Sequence, residues 1–236
     1  MSHTVSKAFW TGMQITPGMV TGSSELHLVE LPECHTWIHS EVADPWRSLQ
    51  LAARTEGFEL QIASCFRSFE RQLMIWNAKA LGKRPVFDDN GRPLDLRQLD
   101  DRNKVMAILR WSALPGASRH HWGTDMDVWD SAAVPKDYSL RLSPDEYRWG
   151  GPFSPLCEWL DSSLEKYGFY RPYEIDSEGV APEPWHLSYR QVARQFESQI
   201  SRQLLLETLE ASELELKHAV LGNLDEIMDR FILCAD

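Results

Sequence analysis

The chain has 236 residues, 43% hydrophobic and 25% charged, which suits one sizeable globular domain with a small appendage. Its net charge of −11 argues against nucleic acid and anionic membrane surfaces as partners, since both demand a basic footprint. No stretch approaches the roughly 18 apolar residues of a membrane span.

The N-terminal stretch MSHTVSKAFWTGMQITPGMVTG holds no signal-peptide core. The four cysteines, Cys34, Cys65, Cys157 and Cys234, lie far apart with no C-x-x-C pair, and Cys65 reads as a buried thiol. A reduced, cytoplasmic protein is therefore the expectation.

Residues 1–40 read as irregular or short-stranded, with turn signals in TPGMVTGSS. DPWRSLQLAARTE predicts a helix with Asp44 as N-cap and Pro45 at its first position. Trp46, Leu49, Leu51 and Ala53 supply its apolar side, and Gly57 ends it. FELQIASC alternates as a strand, with Phe58, Leu60 and Ile62 on one side. SFERQLMIWNAKALG predicts a helix that starts near Ser64 or Ser68 and stops at Gly82. KRPVFDDNGRP is a loop. LRQLDDRNKVMAILRWSA predicts one helix, broken at Leu114-Pro115-Gly116.

SRHHWGTDMDVWD, residues 118–130, reads as a turn and then a strand, with aspartates interleaved among Met126, Val128 and Trp129. SPLCEWLDSSLEKYG is a helix ending at Gly168, and EPWHLSY is a short extended segment. Beyond residue 190, Val192, Phe196, Ile200 and Leu204 recur every four residues. Val220, Leu224, Ile227 and Phe231 recur every three or four. Two amphipathic helices are the reading. The fold class is α+β, one domain with a helical tail.

Divalent zinc takes imidazole nitrogen and carboxylate oxygen, and a catalytic site uses three protein ligands with one position open. Residues 118–130 supply a histidine and an aspartate, and PEPWHLSY supplies His186 on a separate segment. Glu183, three residues before His186, is placed to take a proton from an activated water. A solvated loop carboxylate is the minor alternative for Glu183, given its position before Trp-His, and a mere helix pair with Glu70 the minor alternative for Arg67. His3, His27, His35, His39 and His218 read as structural or exposed. Most of the ten tryptophans read as core, while Trp122 and Trp185 flank candidate ligands and wall a cleft.

Three ordered motifs sharpen this picture. PGASRHHWGTDMD resembles the S-x-H-x-x-G-x-x-x-D motif of VanY-type D-alanyl-D-alanine carboxypeptidases. EPWH resembles that family's E-x-W-H, and SCFRSFERQ its S-x-[YF]-R-S-x-x-x-Q. They fall in family order within residues 58–190. The wider clan includes lysostaphin, the D-Ala-D-Ala metallopeptidases and the Sonic hedgehog signalling domain.

The resemblance implies one zinc ion per chain, held by His120, Asp127 and His186 in a small antiparallel sheet flanked by helices. It implies Glu183 as catalytic base and Arg67 as the cation that stabilises the oxyanion. Ser118 and Gln72 fall where the family contacts substrate, and Asp125 and Trp185 join them as substrate-binding candidates. Asp125 departs from the family's Gly-x-Ala-x-Asp pattern. It shares a strand face with Asp127 and could orient a ligand, bind substrate or contact a loop. His121 fills an unspecified position, as a surface or supporting imidazole.

The implied activity is zinc-dependent hydrolysis of a D-amino-acid-containing bond in peptidoglycan stem peptides, with D,D-carboxypeptidase first. L,D-carboxypeptidase and cell-wall endopeptidase are alternatives, and a zinc-stabilised, non-catalytic binding module is the alternative of another class. Residues 1–190 form the peptidase domain and 191–236 the helical extension, whose apolar residues pack against the domain or a twin subunit, the Val220 to Ile232 face being offered for a homodimer. Peptidoglycan lies outside the cytoplasm, so action by another export route or after lysis stays open.

Overall fold

The computed structural model describes residues 14–233, so His3, Cys234 and the start of the chain lie outside the described residues. Two antiparallel sheets form. β1 (Leu28–Leu31) and β2 (Thr36–His39) make a hairpin. β3 (Leu60–Ser64), β4 (Asp125–Asp130), β5 (Phe169–Tyr170) and β6 (His186–Tyr189) make a four-stranded sheet in the order β3-β4-β6-β5. The ten helices are α1 (Pro17–Thr21), α2 (Ala43–Thr55), α3 (Phe69–Ala80), α4 (Asp101–Leu109), α5 (Pro144–Tyr147), α6 (Ser154–Ser163), α7 (Arg190–Glu197), α8 (Arg202–Glu210), α9 (Lys217–Gly222) and α10 (Leu224–Ile227), among the described residues. The expected α+β class is what forms. None of these helices is long and apolar enough to cross a membrane.

Strand parity explains the mixed character of 125–130. Successive side chains of a strand point to opposite faces. Met126 and Val128 enter a core with Leu60 and Leu187 of the sheet, Trp46 and Leu49 of α2, and Leu156 and Leu160 of α6. Asp125 and Asp127 therefore share the other face. β4 pairs with β6 so that Asp127 lies opposite His186 and Asp125 opposite Ser188. Directly opposed residues hold their Cβ atoms about 4.5–5.5 Å apart, so this register alone brings two metal-capable side chains together.

Several boundaries differ from expectation for local reasons. α2 starts at Ala43 with Val42 at its cap, so Asp44 sits inside the first turn, and Leu51 is exposed while Trp46, Leu49 and Ala53 are buried. Ser68, rather than Ser64, caps α3 by accepting from the Arg71 amide. The single helix expected after residue 94 is two pieces. The Asp100 side chain accepts from the Asn103 amide and restarts the chain as α4 after a short 3-10 turn at Leu96–Gln98. The two tail helices are four, because Ser201 caps a new start at α8 and Leu216 takes a left-handed φ of 61° before α9. A π-helical turn at Met228–Ile232 follows α10.

The tail is built into the domain. Leu205, Leu209, Val220, Leu224 and Ile227 pack with Trp76 of α3 and Val105, Ile108 and Leu109 of α4 in one core. Each such buried side chain contributes about 1.5–3 kcal/mol. The Trp76 indole donates to the Glu215 carbonyl at 3.0 Å, and the Asn77 amide bonds Glu213 and Glu215. The Val220 to Ile232 face, expected against either the domain or a twin subunit, packs within the chain. The tail also reaches the loop before β6. Arg230 donates to the Glu178 carbonyl at 2.7 Å, and any side chain at Gly179 would collide with the Arg230 carbonyl.

Candidate metal centre

His120 is carried by a 3-10 turn, Arg119–Trp122, that Gly123 closes at φ 67°. A Cβ on Gly123 would stand 2.8 Å from the His39 amide nitrogen, so only glycine fits. The segment after β3 is laced to this turn. The Cys65 carbonyl lies 2.8 Å from His120 Nδ1, and the Arg67 amide donates to the His120 carbonyl at 3.1 Å. With Nδ1–H donated to a carbonyl, the Nε2 lone pair of His120 is left facing Asp127 Oδ2 at 3.4 Å.

His186 opens β6. Its Nε2 lies 3.0 Å from Asp125 Oδ1, and its Nδ1 lies 3.0 Å from Glu183 Oε2 and 3.6 Å from Asp127 Oδ1. His120, Asp127 and His186 are all buried, and one donor atom from each lies within 4.8 Å of the others. Two imidazoles and a carboxylate are a donor set suited to zinc. In His120 the second nitrogen is engaged by a carbonyl, which leaves Nε2 for an ion; in His186 Nε2 is engaged by Asp125, and an ion at Nδ1 would take the place of the contact with Glu183.

The electrostatics ask for a cation at this point. Burial pushes the Asp127 carboxyl up to about 7, with Glu183 adding to the effect and His186 and Arg67 opposing it. Burial opposes charge on His186 too, yet hydrogen bonds to Asp125 and Glu183 and the field of Asp127 raise it to about 10. A proton on His186 thus balances carboxylates that an ion could balance instead. His120 lies well below its ordinary value, through burial and the nearby Arg67 and His186 charges.

Glu183 is held by its backbone, which donates to the Tyr173 carbonyl at 2.9 Å, while its own carbonyl accepts from the His186 amide. Arg171, itself paired with Asp161, donates to the Pro184 carbonyl at 2.8 Å and fixes the same segment. Arg67 is half-buried and donates to Gln72 Oε1 at 2.9 Å and Ser64 Oγ at 3.0 Å. Both acceptors are neutral, so they aim the guanidinium without cancelling its charge. Asp127 and Glu183 favour that charge, against the larger opposing effect of burial.

The expected substrate contacts fare differently. Gln72 is fully buried and braces Arg67 with its oxygen while its amide donates to the Ala113 carbonyl at 2.6 Å. Trp185 is 4% exposed and packs on Tyr147 at 5.3 Å, in an aromatic cluster with Phe153. The neighbouring cavity of about 420 Å³ is walled by Tyr147, Trp111, Tyr173, Pro182 and Pro184 instead. Asp125 is 0% exposed and accepts four hydrogen bonds, from Arg119, His186, Thr124 and Ser188. A carboxylate has about four lone-pair sites, so none is left for a substrate. Ser118 is buried, and its Oγ is without a hydrogen-bond partner.

Sequence reasoning missed Arg119, and of the two places it left to His121 the structure takes the supporting one. Arg119 is 3% exposed and binds Asp125 Oδ1 and Glu197 Oε1. An aspartate on a buried strand requires such a counter-charge, and that signal was there to read. His121 is 0% exposed rather than at the surface. Its Nδ1 lies 2.6 Å from the Arg67 carbonyl, and its Nε2 accepts from the Gly116 amide at 3.0 Å. It ties the backbone of Arg67 to the turn that carries His120.

The VanY family, D-alanyl-D-alanine carboxypeptidase, matches residues 35–192, and the chain belongs to that family. An uncharacterised protein of Haemophilus influenzae is 51% identical over 105 residues, which cover 43% of this chain and 72% of that one. The D-alanyl-D-alanine carboxypeptidase of Enterococcus faecalis is 28% identical over 141 residues, 58% of this chain and 42% of that protein. Among solved structures, VanYB in complex with D-alanine-D-alanine superposes with a TM-score of 0.51 at 22% identity, covering 79% of this chain and 89% of that one. A VanY variant from a VanB-type resistance cassette, in complex with Zn(II), gives 0.50 at 22% identity, covering 82% and 88%. At that identity the likeness is one of fold.

Proposed function

We propose that the protein is a zinc-dependent D,D-carboxypeptidase acting on peptidoglycan stem peptides. The observation that carries the proposal is the meeting of the His120, Asp127 and His186 donor atoms with Glu183 beside them and an unpaired Arg67 nearby. A structural metal site needs neither of the last two, which weighs against a non-catalytic binding module.

His120 through Nε2, Asp127 through its carboxylate and His186 through Nδ1 would hold the zinc. When bound, the ion supplies a Lewis acid and lowers the pKa of water. Glu183 accepts the proton of the attacking water and returns it to the leaving amine. The Arg67 guanidinium, held by Gln72 and Ser64, stabilises the oxyanion as charge develops. The unpartnered Ser118 hydroxyl offers a hydrogen bond to the bound peptide. In this reading residues 1–190 carry all the chemistry, and residues 191–236 frame it.

The test is mass spectrometry of products from a stem pentapeptide, a stem tetrapeptide and a cross-linked muropeptide, with zinc and with a chelator. Zinc-dependent release of the terminal D-alanine from the pentapeptide supports the proposal. Cleavage of only the tetrapeptide replaces it with L,D-carboxypeptidase, and cleavage of only the cross-link with endopeptidase. No cleavage of any of them by the zinc-loaded protein leaves the binding module.

A further inference from the structure

Asp125 stands out among the buried polar groups. Burying a carboxylate costs several kcal/mol unless it is paired and hydrogen-bonded, and an apolar pair in place of a buried ion pair is often as stable or more so. Here the chain has placed a carboxylate on the site face of β4, fully buried, and has supplied a buried arginine to match it.

The arrangement is directional. Arg119 Nε donates to Asp125 Oδ1 at 2.8 Å, and His186 Nε2 lies 3.0 Å from the same oxygen. Asp125 Oδ2 accepts from Thr124 Oγ1 at 2.6 Å and Ser188 Oγ at 3.0 Å. The remaining donors of Arg119 go to Glu197 Oε1 at 2.9 Å, Tyr170 Oη at 2.7 Å and Ser188 Oγ at 3.0 Å. Its guanidinium lies 4.9 Å from the Trp122 ring centroid. Neither Asp125 nor Arg119 can turn without breaking several bonds at once.

We propose that Asp125, locked by Arg119, is a positioning residue that holds His186 by its Nε2–H and turns Nδ1 toward the metal. The proposal rests on the zinc reading of the centre. It assigns the Glu197–Arg119–Asp125–His186 series a role in metal affinity, running from helix α7 to the ligand. A carboxylate behind a ligand imidazole fixes its tautomer and orientation and raises its basicity, and losing such a partner costs about 10–100-fold in affinity.

The experiment uses the full chain and two variants. Asp125→Asn keeps an acceptor oxygen for His186 and Arg119 but removes the charge. The paired Arg119→Met, Asp125→Ala variant removes both charges together, so no ion is left buried alone. Zinc affinity is measured by competition with a chromophoric chelator, the absorption spectrum is recorded with Co²⁺, and thermal unfolding is followed without metal. The expected result is a folded paired variant with zinc affinity about 10–100-fold weaker and an altered Co²⁺ spectrum. Asp125→Asn should show a smaller loss in the same direction.

A folded paired variant with parental zinc affinity and an unchanged Co²⁺ spectrum overturns the proposal, even if its melting temperature falls. His120→Ala is the control for the underlying reading. If it binds zinc as tightly as the parent, the zinc reading fails and this inference with it. If it loses the metal while both Asp125 variants keep it, only this inference fails.

Discussion

The two imidazoles that face Asp127 are held by opposite means. On the turn that carries His120, the partner is the Cys65 carbonyl, and the neighbouring rings of His27, His39 and His121 are buried and neutral. On β6, the partners of His186 are Asp125 and Glu183, and the ring is pushed toward its charged form. A backbone carbonyl is fixed by the fold and no substitution removes it. A carboxylate is a side chain, open to adjustment without disturbing the strand. One region provides geometry, and the other provides the electrostatic setting.

The sharpest break in that contrast is His120→Ala, which should abolish zinc binding and hydrolysis, read by metal content and by release of D-alanine. His121→Ala should keep the metal, because that ring supports Arg67 and Gly116 and has no nitrogen turned to the centre. Equal zinc loss in the two variants would overturn the assignment of ligand and strut.

On the β6 side, Glu183→Gln should lower kcat by about 10²–10⁴-fold, the range for a positioned acid–base group, with zinc content close to the parent's. If the variant sheds its zinc instead, Glu183 belongs among the ligands. Arg67→Ala should cost about 10²–10³ in kcat, as for loss of one oxyanion donor. A change confined to KM would assign Arg67 to ground-state binding.

The smallest effect is on stability, and it tests the neutral region. Burial lowers His27 to about 4 and His121 to about 4, and burial with the His27 charge lowers His39 to about 3. Unfolded imidazoles take a proton near pH 6.5, whereas these rings resist it until far lower pH. Their contribution is whole above pH 6.5 and is lost as pH falls toward 4. Asp127, raised to about 7, acts in the opposite sense between pH 7 and 3.8 and offsets about one ring. His120 is lowered as well, and His186, raised to about 10, gives back only part, so the metal-free protein should be less stable at pH 5 than at pH 7. The urea midpoint at the two pH values measures it, and an unchanged midpoint would mean that the rings are charged in the folded state.

Much of the centre was legible because its residues lie in short motifs. Glu183 and His186 are separated by one loop turn, and His120 and Asp127 by one turn and half a strand. The supporting contacts were not legible, because they join positions with no shared spacing. Gln72 and Arg67 both belong to one motif, yet only the folded α3 shows that the first braces the second. Asp125 was noticed as a departure from pattern, but its partner Arg119 looked like any polar residue of a turn. The tail helices were legible as amphipathic, but whether the domain or a twin subunit covers them was not, since periodicity says that a face is apolar without saying what covers it.

The contact between Arg230 and the loop at Glu178 and Gly179 also couples the end of the tail to the site. The two partners are 52 residues apart in the chain, and the loop they fix leads directly into Glu183. The strand pairing that brings Asp127 and His186 together makes no use of this contact. A change confined to the π-helical turn would therefore reach the Glu183 segment through the loop while leaving the register of β4 and β6 as it is.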